Sequence, residues 1–193
     1  YSDNLTEIVI PEGVKAIEGY AFVKCDSLKK LVLPDSLDTL GINAFSNCEA
    51  LETIKMPSAM TEIRSGVFSR AAITEITVPS GLTEIPDYLF SGCRNLETVT
   101  MPNSVAKVGI MAFQKCDALA DVYFQGTKAQ WDTVSISDYA DLSTNQSGNL
   151  SLTDQATIHF LDTPPVVTTT ATTPVTTGST TTTASSVVTT ASA

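Results

Sequence analysis

The sequence has one histidine, His159, one tryptophan, and only 11 lysines and arginines against 21 aspartates and glutamates. Each shortage excludes something. A formal charge of −10 repels the phosphate backbone of nucleic acid and anionic lipid headgroups, so neither is expected as a partner. No apolar run approaches the ~20 residues of a spanning helix, which argues against membrane insertion. The opening residues, YSDNLTEIVI, lack the basic and apolar regions of a signal peptide and begin inside a repeat. The expectation is a processed or cut product whose export signal lies outside these residues.

Site chemistry is equally sparse. A Ser-His-Asp or Cys-His site would have to use His159, and the four cysteines show no C-x-x-C spacing. Asp121, Asp132, Asp138, Asp141 and Asp154 could hold calcium, but no D-x-D-x-D-G loop is present, and a solvated acidic face accounts for them. A glycosidase-like carboxylate pair would need two marked acids, and nothing marks any. No catalytic residue, metal or cofactor is therefore expected, and the chain is not read as an enzyme.

What is present is repetition. Pro11, Pro34, Pro57, Pro79 and Pro102 follow one another at steps of 23, 23, 22 and 23, and Phe22, Phe45, Phe68, Phe90 and Phe113 keep the same beat. The unit reads L-x-x-I-x-I-P-x-x-V-x-x-I-x-x-x-A-F-x-x-C-x-x-L. Ile8 and Ile10, like Leu31 and Leu33 or Ile76 and Val78, alternate apolar with polar, which predicts a strand of three or four residues ended by the proline. Ala21, Phe22, Cys25 and Leu28 have the spacing of one face of a helical turn. A unit this small cannot bury both apolar faces alone. Neighbours must stack, strand beside strand and Phe over Phe, into a solenoid.

The A-F-x-x-C-x-x-L and I-x-I-P blocks at this period resemble the BspA-like leucine-rich repeats of bacterial surface and secreted proteins and some parasitic protists. The resemblance covers Leu5 to Leu119. It implies an α/β-class leucine-rich repeat solenoid of about five 22–23-residue units, with short parallel strands on the concave side and short helical turns on the other. The stretches DVYFQGTKAQWDTVSI and ATIHFLD are similar to the C-terminal cap of that family, although Phe124 and Gln125 intervene between Tyr123 and Gly126. The expected divisions are repeats over 1–119, a cap over 120–163, and a Thr/Pro/Ser-rich linker or stalk over 164–193. That last stretch has no charged or aromatic residue and cannot bury enough apolar area to order itself. In secreted proteins resembling this one, such linkers lead to further modules, which here would lie beyond Ala193. The N-x-S/T triplets at Asn4, Asn145 and Asn149 carry no weight in a bacterial protein.

The third unit breaks the rule twice. Ala71 replaces the cysteine, and only Ala72 separates it from Ile73, so the unit is one residue short. This is either a structural accommodation or a local kink that exposes a binding feature. Cys25, Cys48, Cys93 and Cys116 share one buried slot, and free packed thiols are expected rather than disulfides.

Function is expected to reside on the concave row. Its outward residues are Glu7 and Val9, Lys30 and Val32, Thr53 and Lys55, Glu75 and Thr77, Thr98 and Thr100, Asp121 and Tyr123. Lys30, Thr53, Lys55, Glu75, Thr77, Thr98 and Tyr123 are the candidate binding residues, and the partner is a protein or glycoprotein met outside the cell or on the bacterial surface. The resemblance and the stalk imply a non-enzymatic binding or adhesion module. The linker alone raises the alternative of a carbohydrate-binding or scaffolding accessory of a secreted polysaccharide-degrading system. Such a platform usually needs exposed aromatics, and only Tyr123 is one. Six strands at ~4.8 Å spacing make a strip of only ~300–400 Å², which favours a longer array or multivalent binding.

Overall fold

Two rows of short strands alternate along the chain. The computed structural model describes residues 5–137, 148–149 and 151–161. The first row comprises β1 (Glu7–Val9), β3 (Lys30–Val32), β5 (Thr53–Lys55), β7 (Glu75–Thr77), β9 (Thr98–Pro102), β11 (Asp121–Gln125) and β13 (Thr157–Phe160). The second comprises β2 (Ala16–Ile17), β4 (Thr39–Leu40), β6 (Glu62–Ile63), β8 (Glu84–Ile85), β10 (Lys107–Val108) and β12 (Ser135–Ile136). Every pairing is parallel and joins equivalent positions of successive units, such as Ile8↔Leu31↔Ile54 and Ile76↔Val99↔Val122↔Ile158. Since side chains alternate along a strand, that register puts the central apolar residue of each strand inward. Leu31, Val99 and Val122 are fully buried.

The A-F-x-x-C segments are not helical, although their spacing predicted a helical turn. Their amides alternate between two acceptors. Phe22 and Lys24 donate to Ala44 and Ser46 of the next unit at 2.8 and 2.9 Å, while Ala21 and Val23 donate three residues back. Left-handed residues bracket each segment, as with Tyr20 and Lys24 or Asn43 and Asn47. This third, turn-based ladder between units replaces the internal bonds a helix would make. Among the described residues the regular helix is α1 (Lys128–Trp131), closed by a Thr127–Gln130 capping box, with a π-helical turn at Ser151–Gln155.

The core is a column of rings. Phe22, Phe45, Phe68 and Phe90 stack with centroid separations of 5.1, 6.1 and 6.2 Å, and Phe113 continues the column at 5.4 Å, tilted by 31°. Beyond the repeats the described residues extend the stack, with β11 and β13 continuing the first row and β12 the second. All described residues belong to one compact unit, Tyr1–Thr163. The expected linker over 164–193, the acids Asp138 and Asp141, and the triplets at Asn4 and Asn145 lie outside the described residues.

Neither strand row is continuous, in contrast to the uninterrupted row expected. Both part at one level, into β1-β3-β5 and β7-β9-β11-β13, and into β2-β4-β6 and β8-β10-β12. The turn ladder crosses the same junction intact, through Gly66 to Asp87, Phe68 to Leu89 and Arg70 to Ser91 at 2.9–3.1 Å. Two sequence features account for this. The unit between β5 and β7 is one residue short, so with the turns in register the chain cannot also bring β7 into register with β5. On the second row Pro86 occupies the position at which Gly41, Arg64 and Gly109 each donate to the preceding unit at 2.7–2.9 Å, and proline has no N–H to give.

All four cysteines are free and buried. The sulfurs of Cys48, Cys93 and Cys116 donate to the carbonyls of Phe22, Phe68 and Phe90 at 3.1–3.2 Å, so the slot ties each unit to its neighbour. Burial pushes Cys48 and Cys93 up to about 12 from the ordinary 9.0, and raises Cys25 and Cys116 as well. The unfolded chain loses these protons near pH 9 while the folded chain holds them. Stability fully present below pH 9 should therefore decline as pH rises toward 12. Thermal melts between pH 8 and 11 should fall less steeply for Cys93→Ala than for the parent, and native thiols should resist a reagent that modifies all four once unfolded. Equal slopes would show that burial does not hold the Cys93 proton.

Candidate interaction surface

The outward positions of the first row form two lines. Glu7, Lys30 and Thr53 lie side by side, then Glu75, Thr98, Asp121 and Thr157; beside them run Val9, Val32 and Lys55, then Thr77, Thr100, Tyr123 and His159. All seven candidate residues are on this face. The structure does not make them one site.

Lys30 is committed to a neighbour, its Nζ lying 2.8 Å from Glu7 Oε1. Lys55, Glu75, Thr77 and Thr98 converge instead at the interruption, where with Ile54, Met56, Ile76 and Thr100 they line a cleft of about 390 Å³. Ile54 and Met56 are half-buried, whereas the central residues of the flanking strands, Leu31 and Ile76, are buried. The cleft therefore has a partly apolar floor and a polar rim. Backbone groups add to it. Thr53, Thr98 and Asp121 each donate an amide to the preceding unit at 3.1–3.3 Å, and Glu75, their counterpart on β7, makes no such bond to Glu52. Thr53 lies on the same strand as Lys55, at the edge of this group.

Tyr123 is part of a separate cluster at the other end. Its ring stacks on His159 at 4.6 Å, and His159 Nε2 lies 2.6 Å from Asp121 Oδ1. Sequence reasoning weighed His159 only as a catalytic residue, and missed that it shares the outward face of Tyr123. The signal was available: TIHF alternates in the same phase as DVYF, and stacking places the two in register. Among the described residues no group of three or more His, Cys, Asp or Glu is placed to hold a metal ion.

Comparison with known proteins gives this surface a context. The sequence signature of the BspA type Leucine rich repeat region matches residues 1–127 in six copies. A leucine rich cell surface protein from Faecalibacterium prausnitzii A2-165 is 38% identical, with a TM-score of 0.65 over 67% of this chain and 34% of its own. The leucine rich repeat protein of T. pallidum is 34% identical, with a TM-score of 0.59 over 62% of this chain and 58% of its own. One from Eubacterium ventriosum shares the fold at 19% identity and a TM-score of 0.59, over 64% of this chain and 33% of its own. The chain thus spans about a third of the first relative's length and somewhat over half of the second's. No curated protein matches it. With its repeat period, its parallel strand rows and its stacked phenylalanines, the chain belongs to the BspA-type leucine-rich repeat family.

Proposed function

We propose that the chain is a non-enzymatic protein-binding module, working outside the cell or on the bacterial surface, and that it grips its partner across the cleft between β5 and β7. One observation carries the reading. Four of the seven residues marked on sequence grounds, Lys55, Glu75, Thr77 and Thr98, line one cleft, at the place where the strand face gives up its own hydrogen bonds. A partner there finds a cation and an anion side by side, hydroxyls, a partly exposed apolar floor and an amide with donor capacity to spare. Lys55 makes no ion pair among the described residues, so its charge is free to meet a partner's carboxylate. The thiols are buried and protonated, and His159 is held between Asp121 and Tyr123, which leaves little for nucleophilic catalysis. The strip alone is small for a stable complex, and a cell-surface relative of which the match covers only 34% fits binding by an extended or multivalent array.

The test is a pull-down of extracellular proteins followed by titration of the captured partner. Lys55→Glu should weaken binding at least about tenfold, roughly 1.4 kcal/mol. Reversal of Lys15 or Lys107, which pair with Asp38 and Glu84 off the strand face, should change little. Loss of binding on reversing Lys15 or Lys107, with Lys55→Glu unaffected, would move the working face elsewhere. A second reading, carbohydrate binding, rests on the half-exposed Tyr123 ring beside Asp121 and His159. A glycan array in which Tyr123→Ala abolishes a signal that Lys55→Glu leaves intact would favour it.

A further inference from the structure

The shortened unit also opens the turn-bearing part of the solenoid. The missing residue falls between the cysteine position and the next apolar residue, where three other units begin with an acid, Asp26, Glu49 and Asp117, and the fourth with Arg94. Acid is the rule there, and the rule is reversed next to the gap. A second side chain is missing nearby. Lys24, Asn47, Arg70, Gly92 and Lys115 form a column of left-handed residues, with φ between 56° and 79°, and Gly92 leaves that column empty between Arg70 and Lys115. The two omissions make a notch of about 520 Å³, with Arg70, Arg94 and Lys115 on its walls and Glu49 at one edge.

Three cations around one notch, in a chain of net charge −10, constitute a local reversal of sign. All three are exposed, and none takes part in an ion pair among the described residues. Arg70 Nη1 donates to Asn47 Oδ1 at 3.3 Å, which orients the guanidinium and leaves its other donors available. Guanidinium groups present paired N–H donors that match a carboxylate in bidentate fashion. The lining has no aromatic ring on which a sugar could stack.

We propose that this notch is a second binding site, selective for carboxylate side chains of an acidic peptide segment. It does not depend on the strand-face cleft, with which it shares no lining residue. The experiment is calorimetric titration of the intact chain with a short oligoglutamate peptide, with a sulfated oligosaccharide and with inorganic phosphate. Oligoglutamate should bind, more weakly as salt rises, and Arg94→Glu should reduce its affinity by about tenfold or more. Gly92→Asn keeps the charge and the left-handed backbone that Asn47 already adopts, but refills the column, where a Cβ would meet Arg70 Cγ at 3.0 Å; it should weaken binding by a similar factor. Lys24→Glu in the same column and Lys55→Glu on the strand face should leave it unchanged. Arg94→Gln, at an exposed side chain, supplies the comparison if Gly92→Asn does not fold. Preference for the oligosaccharide or phosphate, absence of oligoglutamate binding, or an equal loss with Lys24→Glu would each overturn the proposal.

Discussion

Phe45→Ala should cost the domain about 3–5 kcal/mol, the usual loss when a buried phenylalanine is truncated in a core that cannot collapse around the gap. The ring is fully buried and lies between Phe22 at 5.1 Å and Phe68 at 6.1 Å. Collapse is obstructed because the backbone on either side is fixed to both neighbours: Phe22 donates to Ala44 on one side, and Phe45 to Val67 on the other. Phe22→Ala should cost clearly less, since its ring begins the column and is only half-buried. Urea or thermal unfolding measures both. A loss below about 1 kcal/mol at Phe45 would mean that the ring column does not carry the core.

Asn149→Ala should be nearly as damaging, by about 2–4 kcal/mol, for a polar reason. The turn ladder must end somewhere, and at its last unit the amide of Phe113 has no further repeat to bond. Asn149 supplies the missing acceptor, its Oδ1 taking the Phe113 N–H at 3.1 Å. Its Nδ2 donates to the carbonyls of Gly109 and Ser137 at 3.0 and 2.7 Å. The side chain is fully buried, so alanine would leave buried donors and acceptors unpaired with no water to replace it. The urea midpoint should drop with an unchanged slope. An unaltered midpoint would show that the ladder end does not need this cap. The burial also explains why the Asn-Leu-Ser triplet is no surface sequon.

The difference between Phe45 and Asn149 shows where sequence reading succeeds. Phe45 recurs, and a repeated apolar residue at a fixed period has one physical use, so the stack, both strand faces and the cysteine slot were legible before any coordinates. Asn149 occurs once, 36 residues from the amide it serves, and no period points to it. The interruption lies between these cases. The missing residue after Ala71 and the proline at Pro86 are both visible in the sequence, but their joint effect requires knowing that three ladders must keep register and that the turn ladder prevails. The same logic applies to the strand face: alternation put Lys55, Glu75, Thr77 and Thr98 outward, while their gathering into a cleft came from the break, and the pairing of Tyr123 with His159 from β13. The helical expectation failed because i, i+4, i+7 spacing also describes a tight turn whose amides bond to the next unit.

The break in the strand face is the claim on which the cleft and its proposed role depend, and native-state amide hydrogen exchange tests it most directly. The amides of Thr53 and Thr98 bond to the preceding unit, and that of Glu75 does not. Thr53 and Thr98 should therefore exchange slowly and Glu75 fast, by a factor of about ten or more. Inserting one residue between Ala71 and Ala72, to restore the common period, should slow exchange at Glu75. Protection of Glu75 equal to that of Thr53 and Thr98 in the parent chain would mean that the row is continuous and the cleft is not a property of the fold.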